Sequence, residues 1–156
     1  MMSEEVKNGR YEDKYGTVRW YQDGELHRED GPAVEMKVSG KTWKKMYFKD
    51  GMKHRLDGPA VEQSDGKNDW YKDGVLHRED GPACETALGY KSWYLDGDRH
   101  REDGPAVEWP DGRKEWWVNG VNFTEEEFNH WLSKKQLNER LTEQLKVKPT
   151  GKKVKI

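Results

Sequence analysis

Residues 70–85 read WYKDGVLHREDGPACE, and near-copies of this phrase recur along the chain. Its general form is W-Y-x-D-G-x-x-H-R-x-D-G-P-A-x-E. Further copies begin at Trp20, Tyr47 and Trp93, while a fifth opens at Trp116 and ends early. Self-similarity at a fixed period of 20–50 residues is the signature of a repeat protein.

Each period contains two turn signals. The first is Asp-Gly or Asn-Gly, as at Asp73-Gly74, and this dipeptide tolerates the positive φ values of a type I′ hairpin turn. The second comes about half a period later, as at Leu88-Gly89. Two turns per period predict two short strands per period. Between them Asp80-Gly81-Pro82 should kink the returning strand, because Pro cannot donate to a ladder and Gly within a strand marks a bend.

These signals predict a mainly β fold, a single-layer twisted antiparallel meander of about ten short strands with a C-terminal helical cap. At about 4.8 Å per strand, the ribbon should be about 45–50 Å long. Adjacent aromatics such as Trp70 and Tyr71 point to opposite faces of a strand, so neither face is purely polar. A thin sheet of this kind explains why only 32% of the residues are apolar although 8 are Trp, 7 Tyr and 3 Phe.

The predicted array covers residues 1–123. Its repeats lie near 17–40, 41–66, 67–89 and 90–112, with a partial repeat over 113–123. His54, His77 and His100 follow one another at 23 residues, whereas His27 precedes His54 by 27, so four residues are inserted around 41–46.

Small residues recur near the end of each phrase. The alanines Ala33, Ala60, Ala83 and Ala106 are expected to leave room for an aromatic ring of the next strand. Val34, Val61, Cys84 and Val107 should fill the alternate face. We interpret Cys84 as a small apolar substitute and not as a nucleophile.

The hydrophobic period changes from 2 to 3.6 after the array. Thr124 with Glu127 forms a capping box, and Phe123 with Phe128 forms a hydrophobic staple. A helix is therefore predicted over 124–146.

The second half of this helix admits two interpretations. The spacing of its apolar residues slips between Leu132 and Leu137, which is compatible with a break into two helices. The helix as a whole is expected to cap the last repeat, because repeat arrays need terminal units with a polar face. The alternative is that the part from Leu137 to Leu145 docks on a partner. Residues 147–156 are predicted to form a basic disordered tail.

Composition excludes several classes of protein. A single cysteine cannot form an internal disulfide framework, and it fits a reducing compartment. No run approaches the roughly 18 apolar residues of a membrane span, and residues 1–5 lack the basic-then-apolar order of a secretory signal. These features predict a soluble cytoplasmic protein.

The repeat resembles the MORN (membrane occupation and recognition nexus) repeat over about residues 6–123. It departs from that pattern at Arg28-Glu29-Asp30-Gly31 and its equivalents, since the family has glycines directly after the His and two residues later. The H-R-x-D-G-P-A-x-E phrase, with Asn119-Gly120 leading into the FTEEEF segment, more closely resembles repeat proteins of bacteriophages and large DNA viruses. The resemblance implies a β-repeat scaffold that binds proteins or, in some MORN members, phospholipids. A phage origin would make a host defence protein the target and the host cytoplasm the location.

The candidate binding residues are the aromatic and His-Arg rows of the repeat and one helical Trp. They are Trp20, His27, Arg28, Tyr47, His54, Arg55, Trp70, His77, Arg78, Trp93, His100, Arg101, Trp116 and Trp131. A purely structural interpretation competes with binding. In it, each His bonds a backbone group at the kink, and each Arg pairs with an Asp or Glu of its own or the next repeat.

Other chemistries fit the sequence poorly. Histidines about 10 Å apart, two strand spacings, do not converge on a metal ion with bonds of about 2 Å. An active site is usually unique, whereas these pairs recur four times. Phosphate-cradling loops, nucleophile elbows and paired zinc-ligand motifs do not occur in the sequence. We therefore expect no metal, no cofactor and no enzymatic activity.

The charge is unevenly distributed. The array, residues 1–123, has 20 Lys and Arg residues and 25 Asp and Glu residues. The segment from residue 124 onward has 8 Lys and Arg residues and 5 Asp and Glu residues, which gives the net charge of −2 for the whole chain. An acidic array repels a phosphate backbone and an anionic membrane, so nucleic acid is expected to contact only the basic tail, and weakly.

Two functions of different classes remain. In the first, the ribbon is a protein-interaction module, whose Trp, Tyr and Arg surface and C-terminal helix contact a host or viral protein. In the second, His-Arg and aromatic pockets sequester a small anionic ligand such as a nucleotide. A homodimer through the exposed sheet edge around Val6–Tyr11 is a further hypothesis, because free edges invite pairing.

Overall fold

The computed structural model describes residues 6–147 of the chain. The chain divides into two units, with the boundary between Asn122 and Phe123. The predicted fold class is confirmed, since the protein is mainly β, an antiparallel meander followed by one C-terminal helix. The predicted basic tail lies outside the described residues from residue 148 onward.

Eighteen short strands precede the helix. They are β1 (Gly9–Glu12), β2 (Val18–Gln22), β3 (Glu25–Leu26), β4 (Val34–Val38), β5 (Lys41–Met46), β6 (Phe48–Lys49), β7 (Met52–Lys53), β8 (Val61–Gln63), β9 (Asn68–Asp69), β10 (Tyr71–Lys72), β11 (Val75–Leu76), β12 (Cys84–Glu85), β13 (Lys91–Ser92), β14 (Tyr94–Leu95), β15 (Asp98–Arg99), β16 (Val107–Glu108), β17 (Lys114–Val118) and β18 (Val121–Phe123).

A main sheet of twelve strands runs through the array. Its order is β1-β2-β4-β5-β8-β9-β12-β13-β16-β17-β18, with β3 paired to β2 off this path. Three two-stranded hairpins, β6-β7, β10-β11 and β14-β15, lie beside it. The four residues inserted after the first repeat lengthen β4 and β5, which have five and six residues where β12 and β13 have two.

The strand count exceeds the predicted ten in part because three strands that lead into a hairpin turn are divided at an aromatic residue (Tyr47, Trp70 or Trp93), whereas β2 and β17 are not divided. Trp70 stands between β9 and β10. Its N–H donates to the carbonyl of Ala83 (2.7 Å), and its carbonyl accepts the N–H of His77 (3.1 Å). The chain therefore passes at Trp70 from the main sheet into a hairpin. On the return, the predicted interruption at Asp-Gly-Pro separates β11 from β12.

The hairpins form a second continuous row beside the main sheet. Asp73 and Gly74 both have positive φ (48° and 84°), as a type I′ turn requires. The N–H of Gly74 donates to the carbonyl of Lys53 in the preceding hairpin (2.9 Å), and the N–H of Arg55 donates to the carbonyl of Tyr71 (3.1 Å). The same two bonds join the other neighbouring hairpins. Each repeat therefore advances the row by two strand spacings.

The core of the array is thin and made of small residues. Ala33, Ala60, Ala83 and Ala106 are fully buried, and so nearly are Val18, Val34, Val61, Val107 and Val118. The carbonyls of these alanines accept the N–H of the aromatic residue of their own repeat. Most of the stability of the array must therefore come from many short contacts repeated along the chain.

The helix α1 spans Glu125–Val147 without a break, so the division into two helices considered between Leu132 and Leu137 does not occur. The predicted capping box is present: the N–H of Thr124 donates to Glu127 (2.8 Å), and the N–H of Glu127 donates to Oγ1 of Thr124 (3.2 Å). The helix continues through the spacing slip because helical hydrogen bonds do not depend on an apolar stripe.

Apolar contacts of α1 are concentrated in its first two turns. Phe128 is buried, and the ring of Trp131 lies 5.7 Å from that of Phe128 and 6.4 Å from that of Phe123. From residue 136 to 146 every residue is exposed.

Candidate functional site

Four loops link the hairpin row to the main sheet, one in each full repeat. We call these the HR loops; they comprise residues 27–33, 54–60, 77–83 and 100–106. They hold all four predicted His-Arg pairs. Because each repeat advances by two strand spacings, the four loops stand in a row about 10 Å apart.

The third loop shows how the arginine is held. The guanidinium of Arg78 lies 4.0 Å from the ring centroid of Trp70. Its Nε donates to Oδ1 of Asp80 (2.8 Å), and its Nη1 donates to the carbonyl of Pro82 (3.2 Å). On the other side, a Cβ built on Gly81 would lie 3.0 Å from Cζ of Arg78. The guanidinium is thus sandwiched between an aromatic ring and a glycine, where any larger residue would crowd it.

The other three loops repeat this arrangement. The guanidinium-to-ring distances are 4.3 Å for Arg28 over Trp20, 4.0 Å for Arg55 over Tyr47 and 3.9 Å for Arg101 over Trp93. Their Nε atoms donate to Asp30, Asp57 and Asp103. Arg55 and Arg101 also donate to Glu62 and Glu108. Nε and Nη1 of each arginine are therefore engaged within its own repeat.

Each histidine connects its repeat to the next. Nδ1 of His77 accepts the N–H of Asp96 in the following hairpin turn (3.1 Å), and Oδ1 of Asp96 lies 2.8 Å from the same nitrogen. The equivalent bonds join Asp50 to His27, Asp73 to His54 and Asn119 to His100. The expected backbone bond of the His is present, but at the next turn and not at the kink, because the hairpins stack directly on one another.

Asn8 accepts the equivalent hydrogen bond from the first hairpin turn. Its Oδ1 accepts the N–H of Asp23 (2.7 Å), and the carbonyl of Lys7 accepts the N–H of Gly24 (2.9 Å), as Leu26 does for Gly51. Sequence reasoning missed this residue. Its sequence position gave no signal, because Asn8 precedes Asp23 by 15 residues, whereas His54, His77 and His100 precede their partners by 19.

Two predicted tryptophans lie away from the loops. Trp116 lies in β17, in the fifth period, which ends before it reaches an Arg position. The carbonyl of Trp116 accepts a hydrogen bond from Nδ2 of Asn122 (3.3 Å). Trp131 lies in α1, and its ring is 5.5 Å from Nζ of Lys135.

Three grooves separate successive HR loops, with volumes of 530, 620 and 910 Å³. The first two are each lined by three Lys or Arg and three Asp or Glu residues, and the third by three against five. Their charged lining residues are Arg28, Lys49, Arg55, Lys72, Arg78, Arg101, Glu29, Asp30, Asp57, Glu79, Asp80, Asp96, Glu102 and Asp103. The grooves are thus neutral to acidic.

Within the HR loops the aspartates are exposed and the arginines are not, while Leu56 of the second loop and the groove-lining Lys49 and Lys72 are exposed as well. The side chains of Asp30, Asp57, Asp80 and Asp103 are 81–84% exposed, whereas those of the four loop arginines are 21–24% exposed. Donation from the neighbouring guanidinium lowers the pKa of Asp30, Asp57 and Asp80. These carboxylates therefore stay ionised at neutral pH, and they place an exposed negative charge in each of the four loops.

A small polar cluster lies in the main sheet. Cys84 pairs with Asp69 on one side and Ser92 on the other, and both neighbours are buried. Burial and the Asp69 carboxylate raise the pKa of the Cys84 thiol to about 12. The thiol is therefore protonated at neutral pH, and its surroundings are more polar than the predicted role of a small apolar substitute requires.

Residues 6–147 contain neither a metal-binding cluster nor a membrane-spanning helix. No group of three or more His, Cys, Asp or Glu side chains in that range could hold a metal ion. No helix there is long and apolar enough to cross a membrane.

Comparison with known proteins returned no relative: no family model, curated protein or solved structure matches the chain. The resemblance to MORN and viral repeats thus stays a prediction.

Proposed function

We propose that this protein is a non-enzymatic protein-interaction module whose partner lies across the row of HR loops. The observation that carries the proposal is the fourfold repetition of one exposed loop at even spacing, with a groove between each neighbouring pair. Repeat arrays use such extended surfaces to bind other proteins. A single small substrate would contact only one or two of the four loops.

The charge of the loops indicates the chemistry of the partner. The arginines stack on rings and donate to aspartates, while the carboxylates of Glu29 and Glu79 are 90% and 79% exposed. Exposed carboxylates attract Lys and Arg side chains and speed encounter with a basic surface. The partner is therefore expected to present a basic segment to the row.

The spacing of the loops sets a register for that segment. Two strand spacings are about 9.6 Å, and a chain in the extended polyproline II conformation advances about 3.1 Å per residue with three residues per turn, so that every third side chain lies on the same side. One repeat thus corresponds to about three residues of an extended partner. A basic side chain at every third position would meet the same carboxylate in each successive loop.

Sequestration of a nucleotide has less support. Each groove has at least as many carboxylates as cationic side chains, and Nε and Nη1 of the loop arginines already donate within the protein. A phosphate would compete with these partners and with the nearby carboxylates for each guanidinium, in all four loops. The experiment below also tests whether the protein binds nucleotides.

The wider prediction of a host protein as the partner rests on the resemblance to phage and viral repeats alone. It stays a prediction, as does a contribution of α1. Leu137, Leu141 and Leu145 of α1 are at least 49% exposed, which is compatible with such a contribution.

The proposal is tested with fluorescent peptides of about ten residues in an anisotropy assay. One peptide has Lys at every third position, a second has the same four lysines together, and a nucleotide panel is examined in parallel by thermal shift. We expect the spaced peptide to bind more tightly than the clustered one and the nucleotides to leave the melting temperature unchanged. Nucleotide stabilisation without peptide binding would reverse the order of the two functions.

Two variants of equal charge locate the binding face. Glu29→Gln with Glu79→Gln removes two carboxylates from the row and should weaken the spaced peptide about threefold to tenfold, because exposed pairs contribute about 0.2–1 kcal/mol each. Glu25→Gln with Asp98→Asn removes two carboxylates from the hairpin tips, outside the grooves, and should leave binding unchanged. Equal effects of both variants would mean that the peptide senses net charge only.

A further inference from the structure

Among the described residues, 6–147, the first strand of the main sheet has no partner on one of its sides. β1 stands at the end of the strand order, and within residues 6–147 only β2 pairs with it. All four of its residues are exposed. The unpaired side of such a strand is a template for another strand.

The hydrogen bonds of β2 fix which residues of β1 face outward. Arg10 is opposite Trp20, whose N–H donates to Ala33 and whose carbonyl accepts from His27, both away from β1. In an antiparallel ladder the direction of these groups alternates residue by residue. The N–H and carbonyl groups of Arg10 and Glu12 therefore point to the free side.

We propose that two copies of this chain pair through β1, antiparallel, about a two-fold axis at Tyr11. In this register Arg10 of one copy lies opposite Glu12 of the second copy, and Glu12 lies opposite the second copy's Arg10. These two residue pairs exchange four main-chain hydrogen bonds. The two Tyr11 residues form the central pair without hydrogen bonds, where side chains of facing strands come closest. The main sheets of the two copies then form one continuous sheet across the two-fold axis.

The charges of β1 select this register. Arg10 and Glu12 lie on the same face of the strand and form an ion pair with each other. An axis at Arg10 would place two arginines opposite each other, and an axis at Glu12 would place two glutamates opposite each other. Like charges in directly facing positions are unfavourable, whereas opposite charges are favourable. Only the axis at Tyr11 pairs every charge with its opposite and remains symmetric, as an isologous dimer requires.

The central tyrosine is already positioned for such a pair. The ring of Tyr11 lies edge-on to that of Tyr21 at 5.6 Å, and Nζ of Lys7 is 5.9 Å from the Tyr11 ring. Pairing would extend this aromatic cluster across the axis. Since only four residues of each copy take part, the contact is small compared with the roughly 1,600 Å² of a standard interface, and we expect a weak, reversible dimer.

Sedimentation velocity of the full chain from about 5 to about 500 µM tests the proposal, since the dimer fraction must rise with concentration. Arg10→Glu places Glu opposite Glu at both positions, and Glu12→Arg places Arg opposite Arg. Each variant alone should weaken the dimer by about tenfold or more. Mixed in equal amounts, the two variants should form a heterodimer, because Glu then faces Arg at every position.

Rescue by mixing separates the interface from damage to the fold, since a misfolded variant would not regain pairing. The double variant Arg10→Glu with Glu12→Arg should dimerise like the wild type, and Glu143→Arg on α1 should have no effect. A wild type that stays monomeric over the whole range would overturn the proposal. So would two reversals that dimerise as well as the wild type, or a mixture that shows no heterodimer.

Discussion

Replacing Gly81 by Ala tests the packing of the HR loop most sharply. A Cβ at this position would lie 3.0 Å from Cζ of Arg78, and the guanidinium cannot move aside easily because the ring of Trp70 is 4.0 Å away on its other face. Asp80 and the carbonyl of Pro82 also hold it. Gly81 is not among the glycines of positive φ, so Ala meets no backbone strain there.

The expected cost follows from two opposing contributions. Forcing a methyl group into a filled space costs about 1–3 kcal/mol. This total includes about 0.5–2 kcal/mol for the lost contact between the guanidinium and the ring. Replacing Gly by Ala also stabilises by about 0.4–1 kcal/mol, because the unfolded chain loses freedom. We therefore expect Gly81→Ala to lower the free energy of unfolding by about 1–2 kcal/mol.

Urea unfolding followed by Trp fluorescence measures this cost in two backgrounds. In Arg78→Met the guanidinium is absent, so Gly81→Ala should be neutral or stabilising, and the coupling between the two substitutions should be about 1 kcal/mol or more. Gly104→Ala, where the distance to Cζ of Arg101 is 3.2 Å, should cost less than Gly81→Ala. If Gly81→Ala were as stable as the wild type, or lost the same amount in both backgrounds, the sandwich would not exist in solution.

Three further predictions concern pH, thiol reactivity and the helix cap. Arg55 lowers the pKa of Asp57, so the folded state binds fewer protons near pH 4 than the unfolded state. The contribution of this pair to the free energy of unfolding should therefore be complete above about pH 4 and decrease below it. In urea titrations from about pH 5 to about pH 2.5, Asp57→Asn should make that decrease smaller. Because the pKa of Cys84 is raised to about 12, a disulfide reagent at about pH 8 should label the folded protein far more slowly than the urea-unfolded one, and equal rates would contradict the burial. Thr124→Ala removes the acceptor for the N–H of Glu127 and should cost about 1 kcal/mol, seen as reduced helical ellipticity on heating, whereas an unchanged signal would show that the cap contributes nothing.

Local chemistry made much of the fold predictable from the sequence. Asp73-Gly74 and its equivalents indicate type I′ turns through backbone preference alone, and Thr124 with Glu127 indicates the helix start through side chains three residues apart. These features depend on neighbours in sequence. The continuous helix was less predictable, since the slip between Leu132 and Leu137 affects which face is apolar and not whether the backbone stays helical.

Features that depend on pairing between distant segments were not predictable. That Trp70 changes partner from one strand to another, and so divides a predicted strand, follows from where Ala83 and His77 lie in the folded array. Asn8 resembles no part of the repeated phrase, yet it occupies a histidine's place once the first hairpin stacks on it.

The same limit applies to the site. From the sequence, the His-Arg pairs were candidates both for binding a partner and for structural contacts within the array. The choice between these depends on the direction in which each guanidinium points, and the stacking of Arg78 on Trp70 with Asp80 at its Nε favours the scaffold. In the proposed function, recognition falls to the exposed carboxylates beside the arginines, residues that the sequence alone did not distinguish.

Chemical-shift mapping of the isotope-labelled chain with the peptide that has Lys at every third position tests the central claim most directly. The account predicts that amide shifts concentrate in the HR loops, with the largest changes near Glu29 and Glu79, and that they diminish as salt is added. Shifts confined to residues 136–146 of α1, or loop shifts produced by a nucleotide and not by the peptide, would contradict it.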